Sequence, residues 1–157
     1  MLLPFFEWCE TLWLGQFVVG SAWLFPVIES VHLLGLALLG GSILLVDFRL
    51  LGLGLKDRDV SELARDARPW MIAALIAMVV TGIPLFLSEP IKCYYSTAFW
   101  IKMTTLPVAL VFAFTVRTRV TRAEPVRNTA RRQKLVGALS IALWFTVAAA
   151  GRWIGFS

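Results

Sequence analysis

WLFPVIESVHLLGLALLGGSILLVDFR, residues 23–49, decides the class of this protein. From Val27 to Val46 the only polar side chains are Glu29, Ser30, His32 and Ser42. A run of that length and character matches the ~20 residues an α-helix needs to cross a bilayer. Pro26 suits a first helical turn, where a missing N–H costs nothing. His32 is the only histidine of the chain, and Glu29 stands one turn before it on the same helical face. Ionisable groups in a span cost roughly 2.5–3.5 kcal/mol at mid-helix on insertion scales measured for Arg, Lys and Asp. They face a bundle interior more often than lipid, and they mark sites.

Three further runs of the same kind follow. With hydrophobic residues at 59% of 157, the composition is that of an integral membrane protein of one domain. The predicted spans are residues 25–46, 69–87, 97–116 and 135–156, giving an all-α antiparallel four-helix transmembrane bundle over residues 21–157. Residues 1–20, rich in Phe and Trp and broken by Gly15 and Gly20, read as an interfacial amphipathic helix ahead of it. This segment has Glu7 and Glu10 in place of the basic flank and small-residue cleavage site of a signal peptide, so it is expected to stay. Pro69 is expected to open the second span, Gly82 and Pro84 to bend its far end, residues 88–96 to form a short loop, and Pro107 to kink the third span. Small residues in the first and fourth spans, Gly137 and Gly151 among them, permit close helix contact and a homo-oligomer.

The net charge of +5 is explained by where the charges fall. Five Lys or Arg lie between Asp47 and Arg68, and seven between Arg117 and Lys134, where only Glu124 opposes them. The other side of the membrane carries Lys92 and Arg152. The positive-inside rule then places both basic loops in the cytoplasm of a bacterial inner-membrane protein and both termini outside. No motif supports nucleic-acid binding, whereas contact with lipid headgroups accounts for the basic loops. Cys9 and Cys93 fall on the outer side, where they can pair, but they make no metal-ligand spacing.

With this topology His32 lies roughly 9 Å along its helix from Pro26 and Lys102 roughly 8 Å from Thr97, at 1.5 Å of rise per residue. Arg152 and the carboxylates Glu29 and Glu89 fall at or near that level, so a polar pocket in the outer half is expected. His32 can be a structural histidine bonded to Glu29 or to another helix, a haem or metal ligand, or a proton carrier. Lys102 can snorkel to the interface or serve as counter-ion to Glu29, Glu89 or a ligand propionate. Arg152 can anchor at the interface or clamp a carboxylate. One histidine cannot build a zinc or copper site alone.

HLLG in the first span, Arg49 at its end, GIPLFLSEP closing the second and FWIK opening the third resemble the HemJ-type protoporphyrinogen oxidases, four-span membrane proteins related in plan to the CopD-type domain. The resemblance covers roughly His32 to Arg122. It implies His32 as haem ligand and Lys102, after Trp100, as a residue needed for function. The further histidines often found in that family after the first span are missing. WLFP, the IES-VHLLGLALLGG run and VDFRLLGL resemble more closely a group of small bacterial membrane proteins of unassigned activity, which implies the fold alone.

The leading expectation is a b-type haem or related tetrapyrrole held by His32, with Glu29, Lys102 and Arg152 around it. Lys102 would be the catalytic residue if electrons or hydrogens pass between a porphyrin and a quinone. A non-catalytic homo-oligomeric scaffold, with Glu29, His32 and Lys102 as a buried network, competes with it. A channel or transporter lined by these residues is a third class.

Overall fold

The computed structural model describes residues 2–55, 57–123 and 129–156. Lys56, Glu124 and Arg127, counted above among the loop charges, lie outside the described residues. Every regular element among the described residues is helical: α1 (Leu3–Glu10), α2 (Trp13–Val19), α3 (Leu24–Leu51), α4 (Val60–Ser88), α5 (Pro90–Tyr95), α6 (Thr97–Phe112), a π turn (Ala113–Arg117), α7 (Thr118–Arg122) and α8 (Ala130–Trp153), which ends in the 3-10 turn Ile154–Phe156. Four stretches are long and apolar enough to cross a membrane: Leu24–Leu51, Val60–Ser88, Thr97–Arg122 and Ala130–Phe156.

The helices outrun the hydropathic runs that reveal them. α3 continues past Asp47 until Gly52 stops it in the left-handed region at φ 77°. There the Gly52 N–H donates to Arg49 and the Leu53 N–H to Phe48, which satisfies carbonyls the helix end would leave bare. α4 does not open at Pro69 but at Val60, with Pro69 and Pro84 inside it. The hydrogen bond that Pro69 cannot make belongs to the carbonyl of Arg65, an exposed residue, so water can replace the missing donor and the helix runs through. Residues 88–96 are not a loop either, because Pro90 starts α5 as its first residue. α6 passes through Pro107, and the irregularity falls instead at the π turn, beyond which the helix continues to Arg122. The N-terminal segment is two helices and not one.

α3 packs along α4 and α8, and α8 along α6, while α4 against α6 is the loosest side of the bundle. The central core takes two buried residues from each long helix: Leu39 and Ile43, Met71 and Ala74, Ala109 and Ala113, Trp144 and Val147. Where backbones approach most closely, glycine is present. A Cβ on Gly137 of α8 would stand 3.0 Å from the Asp47 carbonyl oxygen of α3, and one on Gly15 of α2 would collide with the Leu87 carbonyl of α4. α1 is fixed by Phe6, which is 5% exposed. Its ring sits 5.2–6.0 Å from those of Phe86, Tyr94, Phe99 and Trp100. Cys9 and Cys93 are buried in this region as free thiols. Burial first, and Glu89 second, push the Cys93 thiol up to about 11, with Lys102 and Lys92 pulling the other way.

At the other end an ion pair is sealed into the packing. Arg117 donates from Nε to Asp47 Oδ1 at 2.8 Å and from Nη2 to the Ile43 carbonyl at 3.3 Å. Asp47 is 0% and Arg117 6% exposed. Ser140 of α8 faces the carboxylate, but neither its Oγ nor Asp47 Oδ2 has a hydrogen-bond partner among the described residues. Sequence reading counts these two charges as the ends of cytoplasmic loops, and the structure corrects this by placing them inside helices.

Breaking such a pair from one side strands a buried charge. Asp47→Ala is expected to destabilise the detergent-solubilised protein by about 3–5 kcal/mol in thermal or denaturant unfolding. Asp47→Ala with Arg117→Met is expected to recover most of that loss. A double variant no more stable than Asp47→Ala would show that the pair is not coupled. For Cys93, a thiol raised to about 11 is almost wholly protonated at pH 8, so maleimide labelling of the folded protein is expected to be about two orders of magnitude slower than for an exposed thiol. Labelling should accelerate as pH rises toward that value, and labelling at the exposed rate would contradict the burial.

Candidate functional site

At the end of the bundle that carries α5, the ionisable residues singled out by sequence divide into two that are brought near one another and three that are not. His32 projects from the third turn of α3 toward α4. Its Nδ1 lies 2.7 Å from Thr81 Oγ1. The Thr81 hydroxyl has one hydrogen, which it donates to the Ala77 carbonyl at 2.6 Å. It therefore accepts from His32, and Nδ1 carries the proton. The neutral imidazole then has its lone pair on Nε2, which has no hydrogen-bond partner among the described residues. The ring lies against Gly82, where a Cβ would come within 3.4 Å of Cε1.

Lys102 comes from the second turn of α6 and lies across Gly151 of α8, where a Cβ would stand 3.4 Å from Nζ. It is within electrostatic reach of both His32 and Cys93. Among the described residues no carboxylate lies within 4.0 Å of it. The candidate counter-ions of the sequence reading are elsewhere. Glu89 pairs with Lys92 at 3.6 Å. Glu29 is half-exposed one turn before His32 and makes no side-chain hydrogen bond or ion pair among the described residues. Arg152 is exposed, with its guanidinium carbon 4.8 Å from the centre of the Phe156 ring. His32 and Lys102 are thus the two that lie within electrostatic reach of one another. Glu29 and Arg152 flank them without touching either.

This arrangement can do two things chemically. An imidazole anchored through Nδ1–H presents Nε2 in a fixed direction, which is how protein histidines are oriented as metal ligands. A lysine with no carboxylate attracts an anionic group. No cluster of three or more His, Cys, Asp or Glu that could hold a metal ion exists among the described residues, so a metal at His32 would have to bring most of its ligands with it. A tetrapyrrole does so, and its propionates suit Lys102. On those two residues the site fits the group.

Thr81 is the site residue that sequence reading missed. It stands in an apolar run, and threonine there signals nothing until the facing helix is known. Asp47 and Arg117 left a faint trace. Each lies roughly twenty residues beyond the start of its helix, so opposite charges recur at one depth.

No curated protein and no solved structure matches this chain. A family model does match, over residues 5–157, which takes in the docked N-terminal helices, both ends of the bundle and the His32–Lys102 pair. The chain belongs to that family, DUF6644, a family of unknown function.

Proposed function

We propose that this is a multi-pass protein of a bacterial inner membrane that binds a b-type haem or a related tetrapyrrole in the outer half of an antiparallel four-helix bundle. Short connections between successive long helices support the antiparallel order. The basic residues at the α7 end of the bundle support a cytoplasmic position for that end and outer termini. α1 and α2 would lie along the outer surface, with Trp8, Trp13 and Phe17 exposed to the headgroup region and Phe6, Cys9 and Val18 turned inward.

One observation carries the haem reading: a histidine whose Nδ1–H is already bonded to Thr81, with no partner for Nε2 and no carboxylate on the neighbouring Lys102 among the described residues. His32 would be the axial ligand, Thr81 its positioning partner and Lys102 the propionate contact. Gly82 and Gly151 keep both side chains close to neighbouring backbones. Haem would supply one-electron chemistry. Its partners would be a porphyrin or a quinone reaching the site through lipid. The oxidoreductase activity implied by the HemJ-type resemblance belongs to this reading, with Lys102 then holding a substrate carboxylate in place of a haem propionate. The His32–Thr81 bond also supports a second reading, since it joins α3 to α4 without any ligand. There the network is a register device in a structural protein.

Visible spectra of the purified protein, as isolated after expression with ample haem and after dithionite, separate the two. The haem reading expects a Soret band and reduced α and β bands that His32→Ala abolishes. Thr81→Val is expected to weaken haem affinity about 10–100-fold while leaving the protein folded. A colourless wild-type protein would sink the haem reading, and a loss of stability of about 0.6 kcal/mol in Thr81→Val would then fit the register device. Lys102→Met is expected to lower haem affinity by about ten-fold or more, the value of a charge-assisted contact. Unchanged affinity for mesohaem and for its dimethyl ester in wild type and variant alike would remove Lys102 from the propionate role.

A further inference from the structure

A second site lies at the opposite end of the molecule. A cavity of about 420 Å³ opens between α4, the π turn and α7, with Ser42 contributed by α3. Arg65, Arg68, Arg117 and Arg122 line it, and among the described residues Glu62 is the one carboxylate in the lining. Glu62 is engaged by Arg58 at 3.4 Å, and Asp47 is taken by Arg117. Arg65 has only the exposed Asp66, at 4.0 Å. Arg68 and Arg122 have no ion pair among the described residues. Arg117 is 6% exposed and is held by Asp47 and the Ile43 carbonyl. Those two bonds use two of its five N–H donors, so the buried end of the cavity is built around a fixed guanidinium with donors to spare.

We propose that this cavity binds the phosphate headgroup of an anionic phospholipid. Four arginines, one of them nearly buried, suit the planar bidentate recognition of phosphate oxygens. Two features favour a lipid over a free anion. Met71 and the half-exposed Phe114 share the lining with the arginines, so the polar wall passes directly into an apolar one. The cavity also lies on the α4–α6 side, the loosest of the bundle, where an acyl chain can follow the seam away from the headgroup. The arginines stand where the apolar stretches of α4 and of α6 give way to charge, the depth at which basic pockets between spans meet headgroups. The proposal rests on the four helices being bilayer spans and is independent of whether His32 holds haem.

The test uses the full chain in zwitterionic detergent, titrated with fluorescent phosphatidylglycerol and, separately, with phosphatidylcholine carrying the same acyl chains and label. Wild type should prefer phosphatidylglycerol. Each of Arg68→Gln and Arg122→Gln should weaken its binding roughly five-fold and the pair together roughly 25-fold. The control pair Arg119→Gln and Arg131→Gln makes the same change in net charge at exposed residues outside the cavity and should cause a much smaller loss. Thermal midpoints without added lipid show which variants fold, and if the double variant does not, the two single variants carry the measurement. Equal loss in the control pair would reduce the effect to a diffuse positive field. Ready displacement by inorganic phosphate would make this a free-anion site, and equal binding of phosphatidylcholine would remove the site. Each of these results overturns the proposal.

Discussion

The Asp47–Arg117 ion pair joins α3 to the helix that begins at Thr97, and both ends of the molecule take their alignment from it. Fifteen residues separate His32 from Asp47 on α3, and fifteen separate Lys102 from Arg117. At helical rise the first interval is about 22 Å and the second, with one residue taken up by the wide turn, about 21 Å. Locking the two charges together at one end therefore sets His32 and Lys102 at one level at the other. A buried ion pair is weak evidence for net stability, because desolvation offsets its attraction, but its best-attested use is to specify register. Here the register brings two side chains distant in sequence within electrostatic reach of one another.

Helices this apolar gain little by hiding carbon from a medium that is itself hydrocarbon, so close backbone contact has to hold them together. The glycines are placed accordingly. Gly137 lets α8 reach the backbone of α3 at Asp47, Gly35 meets Met78 of α4, and Gly82 and Gly151 receive the His32 ring and the Lys102 chain. Three sides of the bundle are drawn tight in this way. The fourth, between α4 and α6, is left looser, and the cavity of arginines opens on it.

Much of this was legible in the chain. The apolar runs located all four long helices, and helical rise placed His32 and Lys102 in the same half. What hydropathy could not show was where the helices stop, because a helix ends when its backbone is capped and not when its side chains become polar. α4 thus runs nine residues ahead of Pro69, and Asp47 and Arg117 stand past the apolar runs but inside helices, where hydropathy alone makes them loop charges. The partner of His32 was illegible for another reason. Glu29 shares its face and was the obvious candidate, whereas Thr81 becomes a partner only through the packing of α4 on α3.

The π turn at Ala113–Arg117 holds one more residue than an α-helical turn and closes the gap through the Thr118 hydroxyl, which donates to the Ala113 carbonyl at 2.9 Å. In a regular helix each added residue rotates everything beyond it by 100° and lifts it by 1.5 Å. A wide turn absorbs that step locally. The third long helix can therefore lose one residue at this point, reverting to plain α-helix, without turning either half about its axis. An insertion or deletion between Lys102 and this turn would swing Lys102 and Arg117 out of phase. A change of length at the turn itself is harmless to the geometry on both sides, and the turn includes the residue whose direction matters most.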